Sequence, residues 1–234
     1  MRVCGVQGVS LIDFPGKIAS ILFLGGCNFR CPFCQNPELV LSPELQPEMD
    51  LDDVFAGLEK KKGFIDGVVV TGGEPLVSGE SAVALLKRLH DTGLAVKLDS
   101  NGYAVETLAE VLSAGVVDYV AMDVKTLLEK YPLASGVSGM DPSRIERAIE
   151  LLKQSGIAHE FRTTCVPGLV EKSDVVAIAR LLGKDEHYFL QQYRPGPDVI
   201  DPSYAEIKPY AATELQFMAE AARLHVASVT VRGA

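Results

Sequence analysis

The chain of 234 residues is 47% hydrophobic and carries 22 Lys plus Arg against 31 Asp plus Glu, a formal charge of −9. That length and apolar content suit one large domain with a real core, and the acidic balance gives no general attraction for phosphate backbones or anionic lipid, so neither nucleic acid nor a membrane surface is an expected partner. No apolar run approaches the roughly 18 to 20 residues of a spanning helix, and Met1-Arg2-Val3-Cys4-Gly5 does not read as a signal peptide, so a cytoplasmic protein is expected.

Residues 1–16 read as a short N-terminal extension. From Ile18 onward, short apolar runs alternate with segments of helical period, the signature of βα units around a parallel sheet. Strands are expected at 18–24, 68–71, 94–98, 116–122, 160–165 and 188–193, with a last apolar alternation at 226–231. Apolar residues recurring at i, i+3, i+4 and i+7 predict helices over 51–58, 82–89, 105–112, 145–152, 175–182 and 215–222. Asp141 reads as an N-cap with Pro142 at the first helical position and Gly156 as the stop, and Ser173 and Gly183 bracket the next helix. The Pro-rich stretches 37–47 and 194–209 read as long functional loops. Six βα units over a single domain, 1–234, predict an α/β fold of the partial (β/α)6 barrel type, because a full eightfold barrel takes about 250 residues and eight strands. A doubly wound open sheet is the alternative.

Such folds place their chemistry at the carboxyl ends of the strands, and polar clusters follow all six. The sharpest is Cys27-x3-Cys31-x2-Cys34. Five Cys is an odd number in a chain too large to need disulfide staples, which favours a reducing compartment and metal-binding or catalytic thiols. A structural zinc ion wants four ligands, yet His90, His159, His187 and His225 are remote in sequence and Cys4 would have to fold back. Three Cys on a four-iron cluster instead leave one iron open to a substrate or cofactor. Gly72-Gly73-Glu74-Pro75 is either a strand-ending turn or a place where backbone carbonyls meet a ligand ammonium. Asp99-Ser100-Asn101-Gly102 carries the same ambiguity. Asp123 and Lys125 point to one side of an extended chain, as a surface ion pair or as a grip on a small polar molecule. Arg162, inside an apolar strand leading to the same rim, calls for an anion. Cys4 and Cys165 are most simply packing thiols, Lys60-Lys61-Lys62 a solvated helix end, and the four His structural.

The triad Cys27-x3-Cys31-x2-Cys34 followed by Gly72-Gly73-Glu74-Pro75 resembles the radical SAM superfamily. Gly26-Cys27-Asn28-Phe29-Arg30-Cys31-Pro32-Phe33-Cys34-Gln35-Asn36-Pro37 and Gln192-Tyr193-Arg194-Pro195 look more narrowly like glycyl-radical-enzyme activases, especially the short activating proteins of anaerobic ribonucleoside-triphosphate reductase. The resemblance implies that Cys27, Cys31 and Cys34 hold a [4Fe-4S] cluster whose open iron binds S-adenosylmethionine, with Phe33 near the adenine. It further implies that Gly72, Gly73 and Glu74 meet the methionine ammonium, that Asp99, Ser100, Asp123, Lys125 and Arg162 surround the carboxylate and ribose, and that Arg194 closes the site. Ser100 stands where related activases often have Thr, and Gln35 where many have His. The implied reaction is reductive cleavage of S-adenosylmethionine and removal of a hydrogen atom from a glycine of a partner enzyme, with a flavodoxin or ferredoxin as electron donor. With only Cys4 and Cys165 left over, no second four-Cys cluster can be built from these residues. A small-molecule radical SAM enzyme of the 7-carboxy-7-deazaguanine synthase type, or a zinc-binding module, are the competing assignments.

Overall fold

The computed structural model describes residues 1–234. Eight strands form one sheet whose spatial order is the chain order. They are β1 (Val3–Ser10), β2 (Ala19–Leu24), β3 (Gly67–Gly72), β4 (Ala95–Ser100), β5 (Tyr119–Asp123), β6 (Ala158–Cys165), β7 (His187–Gln192) and β8 (Ser228–Arg232). β1 runs antiparallel to β2 and every later pair is parallel. β1 and β8 are the two free edges, so the sheet curls into a partial barrel without closing. The six expected βα strands are β2 to β7, and the terminal alternation is β8. The 1–16 segment is more than an extension, because it contributes β1. Gly5 and Gly8 interrupt its apolar pattern and two register shifts break its pairing with β2, which is why alternation did not reveal it.

The helices are α1 (Pro37–Leu41), α2 (Leu51–Glu59), α3 (Glu80–His90), α4 (Val105–Ala114), α5 (Tyr131–Ser135), α6 (Ser143–Ser155), α7 (Lys172–Leu182) and α8 (Ala212–Ala222). The short α1 and α5 lie in segments with no helical period. Two cap assignments shift. Pro142, not Asp141, is the backbone N-cap of α6, although Asp141 Oδ1 still accepts the Ser143 N–H at 3.0 Å. α7 begins one residue before Ser173, with the N-cap Glu171 donating its N–H to Asp174 Oδ2 at 2.8 Å, and Gly183 follows its last residue as expected. Gly156 ends α6 in the left-handed conformation with φ of 71°. Within the expected loops, Pro43–Leu45 and Pro202–Tyr204 form single 3-10 turns.

Strand alternation separates two interiors. Phe161, Thr163 and Cys165 of β6 are buried, Phe161 and Cys165 within the main core between sheet and helices, whereas Glu160 and Arg162 face the barrel lumen. The lumen has its own small apolar cluster of Phe14, Ala19, Ile21 and Val69. Phe14, from the β1–β2 connection, is buried beside Tyr119 at the amino ends of the strands and plugs the barrel opposite the rim. No helix is long and apolar enough to cross a membrane.

Candidate active site

The cysteine loop leaves β2 through Gly25-Gly26 and is held by main-chain bonds from distant segments. The Gly26 N–H donates to the Leu39 carbonyl at 2.7 Å, the Arg30 N–H to Ser135 at 2.6 Å, and the Asp201 N–H to the Pro32 carbonyl at 2.9 Å. Arg30 turns its guanidinium back onto the carbonyls of Cys27 and Phe29, at 2.7 and 2.8 Å. Cys31 is buried, and Cys27 and Cys34 are partly so. Burial pushes the Cys27 thiol up to about 11 and the Cys31 thiol to about 12, each raised further by the charge of Cys34. A metal centre here must therefore displace protons as it binds. No three His, Cys, Asp or Glu side chains converge to hold a single metal ion. An iron-sulfur cluster spreads its thiolates over several metal atoms and needs no such convergence, so the spacing of the three thiols fits a cluster better than zinc.

The turn after β3 lies directly on this loop. Gly72 has φ of 120°, and a Cβ there would run into the backbone of Leu24; one at Gly73 would run into the carbonyl of Gly26. The two glycines thus serve loop-on-loop packing, sealed by the Glu74 N–H donating to the Gly26 carbonyl at 2.8 Å. The Glu74 carboxylate is 1% exposed and fully engaged. Its Oε1 accepts from the Leu76 N–H at 3.0 Å and the Ser100 hydroxyl at 2.9 Å, and its Oε2 from the Asn101 N–H at 2.6 Å. Burial raises its pKa to about 7 despite these donors. The resemblance put Glu74 and Ser100 against the ligand; the structure joins their polar atoms to each other, because the β3 and β4 turns need an internal strut.

On the lumen face, side chains of β4 to β6 alternate in charge. Lys97 pairs with Asp99, Arg162 Nη1 donates to Asp99 at 3.1 Å, Arg162 Nε to Asp123 at 2.8 Å, and Lys125 Nζ to Asp123 at 2.8 Å. Within the ladder itself three cations share two carboxylates, with Glu74 and Glu160 the next carboxylates in reach of Lys125 and Arg162. Burial alone would raise Asp123, but Arg162 and Lys125 outweigh it and hold the carboxyl well below the usual range. The ladder adjoins the cysteines, since the Lys125 charge is felt by both Cys27 and Cys31. Tyr131 steadies it by accepting the Lys125 N–H at 3.0 Å.

Phe33 is buried, its ring centroid 6.4 Å from that of Tyr204. Arg194 is exposed and its guanidinium rests beside Gly233, away from the ladder, while its carbonyl accepts from Gln35 at 2.6 Å. Lys97 is a member of the cluster that sequence reasoning did not name, and Asn28 and Asn101 entered it only inside longer motifs, without a role of their own. Lys97 offered a signal: like Arg162, it is a charge two residues from another charge inside an apolar strand.

Residues 21–182 match the radical SAM superfamily, a stretch that holds all three clustered cysteines and the whole ladder. A protein of Methanocaldococcus jannaschii named as a glycyl-radical enzyme activating enzyme is 30% identical over 98% of this chain and 95% of its own. The pyruvate formate-lyase-activating enzyme of Staphylococcus aureus is 33% identical over 76% of this chain and 73% of its own. Among solved structures, a domain of a pyruvate-formate lyase-activating enzyme from Bacteroides vulgatus shares the fold at a TM-score of 0.55 and 18% identity, covering 71% of this chain and 99% of that one. Streptococcus suis SuiB bound to S-adenosylmethionine does so at 0.59 and 16%, covering 91% and 52%. The chain belongs to the radical SAM superfamily and, within it, to the glycyl-radical enzyme activating enzymes. It is therefore an enzyme, and the cofactors of its family are a [4Fe-4S] cluster and S-adenosylmethionine.

Proposed function

We propose that Cys27, Cys31 and Cys34 hold the cluster, that S-adenosylmethionine lies between it and the charge ladder, and that the glycine attacked belongs to an anaerobic ribonucleoside-triphosphate reductase. The ladder carries this reading: three cations sharing two carboxylates stand beside the thiols of Cys27 and Cys31 on the rim of an open barrel. When bound, the reduced cluster and S-adenosylmethionine supply the one-electron chemistry that removes a hydrogen atom from a glycine α-carbon. Lys125 and Arg162 bind and orient the carboxylate of the cofactor, while Asp123 holds both cations at fixed distances. Asp99, on the other side of Arg162, fixes the guanidinium plane and faces the ribose hydroxyls. The backbone of Gly72 and Gly73, braced by Glu74 and Ser100, meets the ammonium. Phe33 and Tyr204 form an apolar wall that keeps water from the adenine side, and Arg194 swings from its exposed position to close the rim.

The reductase assignment is supported by the absence of any spare Cys set for a second cluster and by Gln192-Tyr193-Arg194-Pro195 after β7. A flavodoxin or ferredoxin supplies electrons in a cytoplasmic, reducing setting. The test is anaerobic incubation of the reconstituted, reduced protein and S-adenosylmethionine with inactive reductase or inactive pyruvate formate-lyase, followed by electron paramagnetic resonance. A glycyl doublet on the reductase is expected. A doublet on the lyase alone would overturn the partner, and turnover of a purine-like compound with no partner radical would move the chemistry to a small molecule.

A further inference from the structure

We propose that Asn101 is a positioning residue for the metal centre, whose side-chain amide donates a hydrogen bond to the Cys27 sulfur and raises the centre's reduction potential. The proposal rests on Cys27 being a cluster ligand.

Asn101 lies in the turn after β4 and is 6% exposed. Its backbone N–H and both ends of its side-chain amide have fixed partners. The backbone N–H donates to Glu74 Oε2 at 2.6 Å, Oδ1 accepts the Tyr103 N–H at 2.9 Å, and Nδ2 donates to Asn28 Oδ1 at 2.7 Å. The same Nδ2 lies 3.9 Å from the Cys27 sulfur, within reach of its second N–H. The amide cannot be turned over without setting Nδ2 against the Tyr103 N–H and one carbonyl oxygen against another, so its orientation follows from chemistry.

Cys27 is singled out among the three cysteines. Its sulfur also accepts the Phe29 N–H at 3.3 Å, whereas the sulfurs of Cys31 and Cys34 have no hydrogen-bond partner. As a thiol, Cys27 can donate weakly to Asn28 Oδ1, 3.8 Å away. As a metal-bound thiolate it has no proton and can only accept, which leaves the Phe29 and Asn101 N–H groups as its donors. Hydrogen bonds to cluster sulfur stabilise the more negative, reduced state more than the oxidised one and so raise the potential. Glu74 completes the device by tying the Asn101 turn to the Gly72-Gly73 turn, which is itself packed on the cysteine loop. The donor thus sits on the β4 framework, tied to the loop it serves through Asn28 and Glu74.

The test uses the full chain with a reconstituted cluster and compares wild type with Asn101→Ala and Asn101→Asp. The aspartate is isosteric and keeps the acceptor for Tyr103 but removes both donors. Midpoint potential is read by redox titration monitored by electron paramagnetic resonance, alongside iron and sulfide content and circular dichroism. A lower midpoint in both variants is expected, lowest in Asn101→Asp, with iron content unchanged. An unchanged or higher midpoint in both overturns the proposal, as does loss of the cluster from both variants with the fold intact, which would make Asn101 an assembly residue. Cys27→Ala separates the underlying assignment: a wild-type cluster in that variant would show that Cys27 is no ligand.

Discussion

At residue 73 there is room for hydrogen and nothing larger. A methyl group would have to displace backbone on the facing loop, and backbone cannot rotate away as a side chain can. Gly73→Ala is therefore expected to cost about 1–3 kcal/mol and to impair cluster retention, measured by denaturant unfolding of the apo-protein and by iron content after reconstitution. Normal values for both would mean that the two turns separate freely. Lys125→Met removes the terminal cation of the ladder while keeping the length of the side chain. S-adenosylmethionine binding measured by calorimetry should weaken at least tenfold, about 1.4 kcal/mol, with the Asp123–Arg162 pair retained. The cysteine spacing and four ladder residues, Asp99, Asp123, Lys125 and Arg162, were legible because both follow from local sequence; Lys97 was not. The engagement of Glu74 was not, because its partners Ser100 and Asn101 lie on the next strand, and only parallel pairing of β3 with β4 brings the two turns together.

At the level of the element, β8 shows how a strand at an open edge is secured. Arg232 makes a two-pronged contact with Glu160 of β6, at 2.7 and 2.9 Å, across the intervening β7, and stacks its guanidinium 3.6 Å from the centre of the Phe189 ring. Glu160 is completely buried and keeps only the Tyr119 hydroxyl, at 2.9 Å, if Arg232 is lost. Arg232→Ala should cost about 3 kcal/mol, read as a shift in the denaturation midpoint, and a double variant with Glu160→Gln should recover part of it. A cost under a few tenths would mean that the pair is solvated. Helices α2, α3, α4, α6, α7 and α8 were legible in their apolar periods, as were the central strands in their apolar runs. β1 was not, since a strand only half-buried along most of its length and interrupted by Gly5 and Gly8 needs no continuous apolar face. The α5 turn was hidden for another reason: five residues cannot display a helical period.

Across the whole molecule, the packed core is continuous, with fifty-one buried residues in one cluster between sheet and helices, and the anchors of the cysteine loop are main-chain bonds that need no ligand. Removing the cluster with a chelator should leave far-ultraviolet circular dichroism unchanged and lower Tm only slightly; a chelator-induced unfolding would contradict this. Acid and base act differently through Glu74. Its folded pKa, about 7, lies above the ordinary carboxyl value. Its contribution is complete below the unfolded pKa and is lost as the pH rises through about 7. The stability difference between wild type and Glu74→Gln should therefore narrow from about pH 5 to about pH 8. A flat difference would show an ordinary carboxyl.

The strand order, identical to the order of the chain, has a consequence for biosynthesis. Each strand can add to the one made just before it, so the sheet can be laid down progressively as the polypeptide emerges. The cysteine loop emerges early and its anchors at Leu39 and Glu74 follow, yet the remaining ones arrive at Ser135 and, last, at Asp201. Its thiols spend most of translation on an unfinished scaffold, so a metal centre held by them would meet its finished site only after the C-terminal third of the protein has been made.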